Sequence, residues 1–173
     1  MTRTAPYFRT LGAVLLCHAV MVSAQNTLDN PDWVELAVPP APAYSRTGLI
    51  PITMPTYLSI QIGVDPATVE TGMDGIVRYV VVMTNATGTS NASYEGIRCL
   101  TDEVKTYARM GSSGQWSSVT NPQWKPVNDN MPSRHAYAIA RQGACDARVA
   151  PRAAEVLKAL RLNENRFKPN SRL

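Results

Sequence analysis

Two patterns of apolar and polar positions divide the chain. Between residues 68 and 119, short runs of β-branched and aromatic residues alternate with turn residues, a pattern typical of β-strands. After residue 150, apolar residues recur at helical spacing. Strands followed by helices predict an α+β fold. We expect an antiparallel β-sheet of about four to six strands, with two C-terminal helices packed on it and a proline-rich N-terminal arm.

The clearest strand signal is the run 76–83, which is apolar at both alternating sets of positions. Such a run is typical of a central strand that is covered on both faces. Asp74-Gly75 precedes it and favours a two-residue hairpin turn after residues 68–71, because both turn positions need positive φ. Further strands are expected at residues 92–100, 103–110 and 115–119.

The expected pairing of the strands predicts where the side chain of Glu95 lies. If residues 101–102 form the turn, Glu95 lies opposite Ala108 on a mostly apolar face, where a carboxylate needs a partner. If the loop after residue 84 sets odd parity, Arg78 shares the face of Glu95, whereas Arg98 reaches it only around an edge. We expect a structural ion pair of Glu95 with one of these two arginines.

Two helices are expected in the last third of the chain. The first is about ten residues long, with Asn130 or Ser133 as its N-cap and Gly143 at its end. The second begins at Pro151, a residue suited to a first helical turn, and ends near Leu162.

The first 24 residues have the pattern of a secretory signal peptide. A basic start is followed by the apolar run 11–22, which is too short to span a bilayer as a helix, and by Val22-Ser23-Ala24. We expect cleavage after Ala24 and no transmembrane segment in the mature chain. The rival prediction, a lipoprotein acylated at Cys17, lacks the small residue that normally precedes such a cysteine, because Leu16 stands there.

The mature chain divides into three parts by composition. Residues 25–55 are rich in proline and predict an extended arm laid on the domain. Residues 56–162 form a single α+β domain. Residues 163–173 are basic with almost no apolar content, and predict a flexible tail.

Charge and cysteine content narrow the class of protein. The net charge of +4 falls to +2 when the two signal-peptide arginines are removed, which is too little to indicate a nucleic-acid partner. The mature chain keeps Cys99 and Cys145, an even pair in an oxidising compartment, so we expect a disulfide between them. The bond would stabilise the fold by about 4 kcal/mol. An oxidoreductase using this pair is a weaker alternative, because the two cysteines lack the close spacing of a redox pair.

The mature chain has too few histidines and cysteines for a zinc site, and a single histidine that could act as a general base. The mature chain has one histidine, His135, so neither structural nor catalytic zinc has enough nitrogen and sulfur ligands. Ser133 is two residues from His135 at a helix start, where the two side chains point in different directions. We therefore expect no metal, no cofactor and no catalytic triad.

Paired carboxylates could serve a glycosidase that acts on peptidoglycan. Glu95 is the candidate catalytic residue, and its mate would be Asp65, Asp74 or Glu103. The two carboxyl groups would have to lie roughly 5 to 9.5 Å apart. A structural ion pair of Glu95 is favoured over this role, because ion pairs also place acids inside folds.

Aromatic residues interleave with arginines along the predicted strands. Such a sheet face suits recognition, since tyrosine, tryptophan and arginine dominate binding hot spots. The alternative is that the same residues form a second core under the arm. The candidate binding residues are Arg78, Tyr79, Tyr94, Arg98, Tyr107, Trp116 and Trp124.

A set of short motifs is distributed along most of the chain. The motifs are Leu49-Ile50-Pro51, Val64-Asp65, Asp74-Gly75-Ile76-Val77-Arg78-Tyr79, Tyr94-Glu95-Gly96-Ile97-Arg98-Cys99, Tyr107-Ala108, Trp116 and Trp124. Together they resemble the cryptic-neisserial-protein-like family of bacterial envelope proteins. The resemblance covers residues 33 to about 160 and implies an exported, periplasmic protein of Gram-negative type, with one uncharacterised domain and no established activity. We predict a non-enzymatic domain that binds or scaffolds an envelope protein or a cell-wall component; the alternative is a peptidoglycan hydrolase using Glu95.

Overall fold

The computed structural model describes residue 1 and residues 30–111, 113–129 and 134–166. Its centre is an antiparallel sheet with the strand order β1-β2-β4-β5-β6-β7; two short strands complete it, β3 pairing with β4 and β8 with β6. The strands are β1 Ile50–Ile52, β2 Gln61–Val64, β3 Glu70–Thr71, β4 Ile76–Thr84, β5 Ser90–Arg98, β6 Glu103–Met110, β7 Trp116–Ser118 and β8 Lys125–Pro126.

Two helices follow the strands, which confirms the α+β prediction. Helix α1, His135–Ile139, continues into a π-helical turn, Ala140–Ala144, and α2 spans Ala153–Arg166. Gly143 breaks the first helix with φ 145°, as predicted for its end. The two predicted N-caps of α1 lie outside the described residues. Helix α2 extends past the predicted end at residue 162, and residues 167–173 of the predicted tail are also outside the described part.

The sheet is covered on both sides. Its helix face packs against α1 and α2 through a core that includes Val77, Ile97 and Leu160. The opposite side, here called the arm face, carries Val80, Tyr94 and other side chains beneath residues of the arm. Strand β4 lies between β2 and β5 with Ile76–Val82 buried throughout, which confirms the predicted central strand. The end of the arm joins the sheet as β1, which pairs with β2.

The β5–β6 register corrects the predicted pairing. Arg98 pairs with Glu103, so residues 99–102 form the turn, and Glu95 lies opposite Thr106 instead of Ala108. The turn is longer than predicted because Asp102 adopts φ 56° and its amide donates to the Cys99 carbonyl. A register shift after Tyr94 then places Ala108 opposite that tyrosine, on the arm face.

Two other turns also differ from the sequence expectation. The β3–β4 loop has four residues, 72–75, and only Gly75 has positive φ, because the Asp74 carboxylate binds neighbouring groups of the turn. In the β4–β5 hairpin Arg78 pairs with Gly96, so Arg78 and Glu95 point to opposite faces. The odd-parity expectation was therefore wrong.

A disulfide joins Cys99 and Cys145, as predicted, with 5.6 Å between their Cα atoms. It connects the end of β5 to the segment that follows the π-helical turn. Because Cys99 is fully buried, the bond fastens the helices to the helix face. No helix in the described part of the chain has the length and apolar character needed to cross a membrane.

Candidate functional site

Trp33 fastens the arm to the sheet. Its indole Nε1 donates to the Asp74 carbonyl at 2.9 Å, and its ring meets that of Trp124 edge-on with 6.2 Å between centroids. The Arg98 guanidinium carbon lies 3.7 Å from the centroid of the Trp33 ring. This cation–π contact is partly desolvated, which strengthens it.

Glu35, two residues along the same extended segment, supplies the polar part of this attachment. Its carboxylate accepts hydrogen bonds from Lys105 Nζ and, at 2.9 Å, from the Tyr107 hydroxyl. Arg78 Nη2 lies 4.0 Å away. The arm therefore places the Glu35 carboxylate beside two basic side chains of the sheet, Arg78 and Lys105.

Arg78 and Asp74 form a closed pair beneath the arm. Arg78 is 3% exposed, and its Nη2 donates to Asp74 Oδ2 at 2.7 Å. Burial by itself raises the pKa of Asp74, but Arg78 and the amides of Leu36 and Ile76 outweigh it and hold the pKa below its usual value. A Cβ at Gly72 would lie 2.3 Å from Asp74 Oδ1, so the pair needs glycine there.

A groove lies between the arm and β7. Tyr94, Tyr107 and Trp116 line it together with residues 38–41 and Pro122, and its volume is about 530 Å³. Trp116 Nε1 donates to the Pro42 carbonyl at 3.0 Å, so the edge of the groove is held by the arm itself. The groove is thus walled by aromatic rings and prolines.

The two tyrosine hydroxyls of the groove already have acceptors. Tyr94 donates to Glu70 at 3.3 Å, and Tyr107 donates to Glu35. Burial, followed by the Glu70 charge, raises the pKa of Tyr94 to about 12, and burial with the Glu35 hydrogen bond raises the pKa of Tyr107 further. Both phenols stay neutral and bound to the protein, and both side chains are almost fully buried, with Tyr94 2% and Tyr107 7% exposed.

A polar cluster lies inside the helix face. Glu95 is 2% exposed and His135 is 3% exposed, and His135 Nε2 lies 2.9 and 3.1 Å from the two carboxylate oxygens of Glu95. Tyr79 and Thr106 donate longer hydrogen bonds, 3.3 and 3.4 Å, to the same carboxylate. Burial lowers the pKa of His135, but the Glu95 carboxylate outweighs burial and raises it overall.

This cluster corrects the predicted partner of Glu95, which is His135 and neither of the two arginines. The arginines project to the other face because of the hairpin register. Two facts could have indicated this pair from the sequence. Glu95 was predicted to point inward, and His135 is the sole histidine of the mature chain. Their separation of 40 residues hid the contact.

The acids predicted as mates of Glu95 have other partners. Asp65 accepts from the amides of Ser45 and Ala67, and Asp74 binds Arg78. Glu103 accepts from the Thr101 hydroxyl. The described partners of Glu95 are a histidine, a tyrosine and a threonine, so this cluster has no second carboxylate of the kind that glycoside hydrolysis needs.

The seven predicted binding residues fall into three groups. Three line the groove: Tyr94, Tyr107 and Trp116. Three lie under the arm in contact with its anchors, namely Arg78, Arg98 and Trp124. Tyr79 lies on the helix face beside Glu95. The structure thus does not place all seven on one surface.

Sequence reasoning missed Glu35 and Lys105, which hold the arm. In the structure Trp33 and Glu35 face the sheet while Val34 and Leu36 are exposed, and the sequence does not mark this alternation, because the acid points inward and the two apolar residues point outward. Among the described residues, no group of three or more histidine, cysteine or acidic side chains is placed to hold a metal ion.

Comparison with known proteins gives one family. A profile of the CNP1-like family matches residues 28–161, more than half of the chain. No curated protein and no solved structure matches the chain.

Proposed function

The chain belongs to the CNP1-like family, and we propose that it is an exported, periplasmic domain that binds an envelope partner without catalysing a reaction. The groove between the arm and β7 supports this most directly. It is a concave surface of about 530 Å³ lined by three aromatic rings, within the size range of natural ligand sites.

Export rests on two features of the chain. Residues 1–24 have the pattern of a cleavable signal, and the Cys99–Cys145 disulfide suits an oxidising compartment. In cells of a Gram-negative host, the protein should be recovered in the periplasmic fraction. Its measured mass should equal that of a chain that begins at Gln25. Recovery of the uncleaved chain in the cytoplasm would contradict the proposal.

The chemistry of the groove favours a segment of an envelope protein over a glycan. The hydroxyls of Tyr94 and Tyr107 and the indole N–H of Trp116 all donate to acceptors within the chain. A sugar would leave buried hydroxyls short of partners, which is costly. Apolar or proline-containing side chains can instead pack on the partly exposed Trp116 ring and on the exposed Val38, Pro39 and Pro40 without new hydrogen bonds.

Neighbouring serines of β7 offer a matched test of the groove. Ser118 pairs with Ala108 on the arm face and lines the groove, whereas Ser117 pairs with Arg109 and points to the other face. Ser118→Trp should fill the groove while keeping the strand, since aromatic residues suit strands. Ser117→Trp is the control of equal size.

The readout is the set of envelope proteins cross-linked to the purified mature protein, with isolated cell-wall sacculi as a parallel arm. We expect a partner that Ser118→Trp loses and Ser117→Trp keeps. Equal capture by both variants would exclude the groove as the binding site. Co-sedimentation with sacculi that Ser118→Trp abolishes would replace the protein partner with a cell-wall component.

A peptidoglycan hydrolase using Glu95 is the alternative function, and the geometry supports it less. The carboxylate is 2% exposed and is enclosed by His135, Tyr79 and Thr106. A glycan chain cannot reach it in this arrangement. Purified wild type and Glu95→Gln should both leave peptidoglycan intact; fragments released by the wild type alone would restore the enzymatic hypothesis.

A further inference from the structure

A second cavity lies at the other end of the sheet, away from β7. It has a volume of about 420 Å³ and lies along β1, β2 and the connection between them. Its aliphatic walls include Leu49, Met54, Leu58 and Ile60. No aromatic residue is among the residues that line it, which distinguishes it from the groove at Trp116.

Four polar residues also line this cavity. They are Arg46, Gln61, Thr56 and Thr84. The guanidinium of Arg46 is exposed and forms no hydrogen bond or ion pair with any residue in the described part of the chain. The cavity therefore combines aliphatic walls with a single positive charge that no described acid neutralises.

The backbone holds Arg46 at this place. The buried carboxylate of Asp65 accepts a hydrogen bond from the Ser45 amide at 2.6 Å. The Ser45 hydroxyl oxygen accepts from the Thr47 amide at 3.1 Å, and Gly48 completes the turn with φ 71°. Hydrogen bonds on both sides of Arg46 therefore hold its backbone beside the cavity.

Gly63 of β2 allows Leu49 to approach the strand closely at this cavity. A Cβ at Gly63 would lie 2.8 Å from Leu49 Cβ, closer than real Cβ atoms approach. Glycine at this position lets Leu49 lie flat against β2, which shapes the aliphatic wall.

We propose that this cavity binds a small amphipathic anion, an aliphatic chain that ends in a carboxylate. The chain would lie against Leu49, Leu58 and Ile60, and the carboxylate would accept hydrogen bonds from Arg46, whose planar guanidinium matches its geometry. Aliphatic walls without aromatic rings favour this class over sugars, which need polar partners and stacking surfaces. The proposal is independent of the groove at β7.

Calorimetric titration of the full mature chain tests both parts of the ligand. The probes are decanoate, decan-1-ol and acetate, each below the concentration at which it aggregates. We expect decanoate to bind at one site, decan-1-ol to bind more weakly and acetate not to bind. Arg46→Gln should weaken decanoate binding about tenfold, a change of about 1.4 kcal/mol, and leave decan-1-ol binding unchanged.

Two further variants separate charge from packing. Arg109→Gln removes the same charge from β6, well away from β1 and β2 in the sheet, and should bind decanoate as the wild type does. Leu58→Ser should weaken decanoate and decan-1-ol alike. Because Arg46 and Leu58 lie outside the buried core, both variants should fold.

Three results would overturn the proposal: no binding of decanoate, equal loss in Arg46→Gln and Arg109→Gln, or unchanged binding in Arg46→Gln. Vesicles of phosphatidylglycerol form a further arm. Binding to vesicles that depends on Arg46, without binding of free decanoate, would identify a membrane surface as the ligand and refute the free amphiphile.

Discussion

Glu95→Gln should destabilise the protein and reverse the pH dependence of its stability near neutrality. The substitution keeps the side-chain volume, so no cavity forms, but it removes the charge that faces His135. A hydrogen bond between charged groups contributes roughly 1.5 to 3 kcal/mol. Both groups are almost fully buried and lie 2.9 Å apart, so we expect a loss of about 2 kcal/mol at pH 6.

The sign of the pH effect follows from the pKa of His135. In the folded wild type this pKa is raised above its ordinary value. The folded state then holds the proton more tightly than the unfolded state, so the stability it contributes is complete below about pH 6.5. It is lost as the pH rises through the folded pKa, with a slope of at most about 1.4 kcal/mol per pH unit.

Glu95→Gln removes the charge that raises the pKa of His135, whereas the burial that lowers this pKa stays. The folded state then binds the proton less tightly than the unfolded state, so the variant should gain stability as the pH rises from 5 to 7. His135 is the only histidine after residue 24, so few other groups titrate in this range.

Urea denaturation of the oxidised mature protein between pH 5 and 9 measures both effects. Glu155→Gln is the matched control, because it removes the same charge from an exposed pair with Arg152; it should change neither the midpoint nor the pH slope measurably. Parallel pH profiles for wild type and Glu95→Gln would refute the inference that the buried pair is ionised.

Three further perturbations test the fold. Replacing Cys99 and Cys145 by alanine should lower the free energy of unfolding by about 4 kcal/mol, and an unchanged urea midpoint would contradict this. Gly143→Ala should cost about 2 to 4 kcal/mol, because its Cβ would lie 2.6 Å from Ala159 Cβ, whereas Gly88→Ala in open space should cost about 1 kcal/mol in chemical denaturation. Trp33→Ala should release the arm and expose residues 30–45 to limited proteolysis at least tenfold faster, and equal cleavage rates would show that Trp33 is not the anchor.

Several elements of the fold could be predicted because each is marked by a pattern within its own residues. The uninterrupted apolar run of β4 predicted a strand covered on both faces, and every residue of Ile76–Val82 is buried. The glycine at 143 marked the end of the first helix through its positive φ, whereas α2 begins at Ala153, two residues after the predicted start at Pro151. Such signals do not depend on the rest of the chain.

Register was the part that local patterns could not decide. The turn after β5 is two residues longer than its most turn-like residues suggested, because Asp102 takes up a left-handed conformation. A two-residue shift preserves which face each side chain occupies, so Glu95 still points inward. The additional irregularity at Tyr94 changes the face of Ala108, and nothing in the sequence of β6 marks it.

The partner of Glu95 could not be predicted without both the register of the β4–β5 hairpin and the position of helix α1. An even parity in the β4–β5 hairpin moves Arg78 to the arm face, where Asp74 and Glu35 neutralise it. The inward carboxylate then needs a cation from another element, and α1 supplies it through His135. Two elements 40 residues apart had to be placed before the pair could be recognised.

The arm explains why most of the chemically distinctive residues are not open to a ligand. A sheet covered by helices on one face and by an extended segment on the other can offer sites only where a cover ends. The arm lines the groove through residues 38–41 and the aliphatic cavity through Arg46, Leu49 and residues of β1. The groove and the aliphatic cavity lie at these two places, so the same segment that closes the arm face also forms one wall of each candidate site.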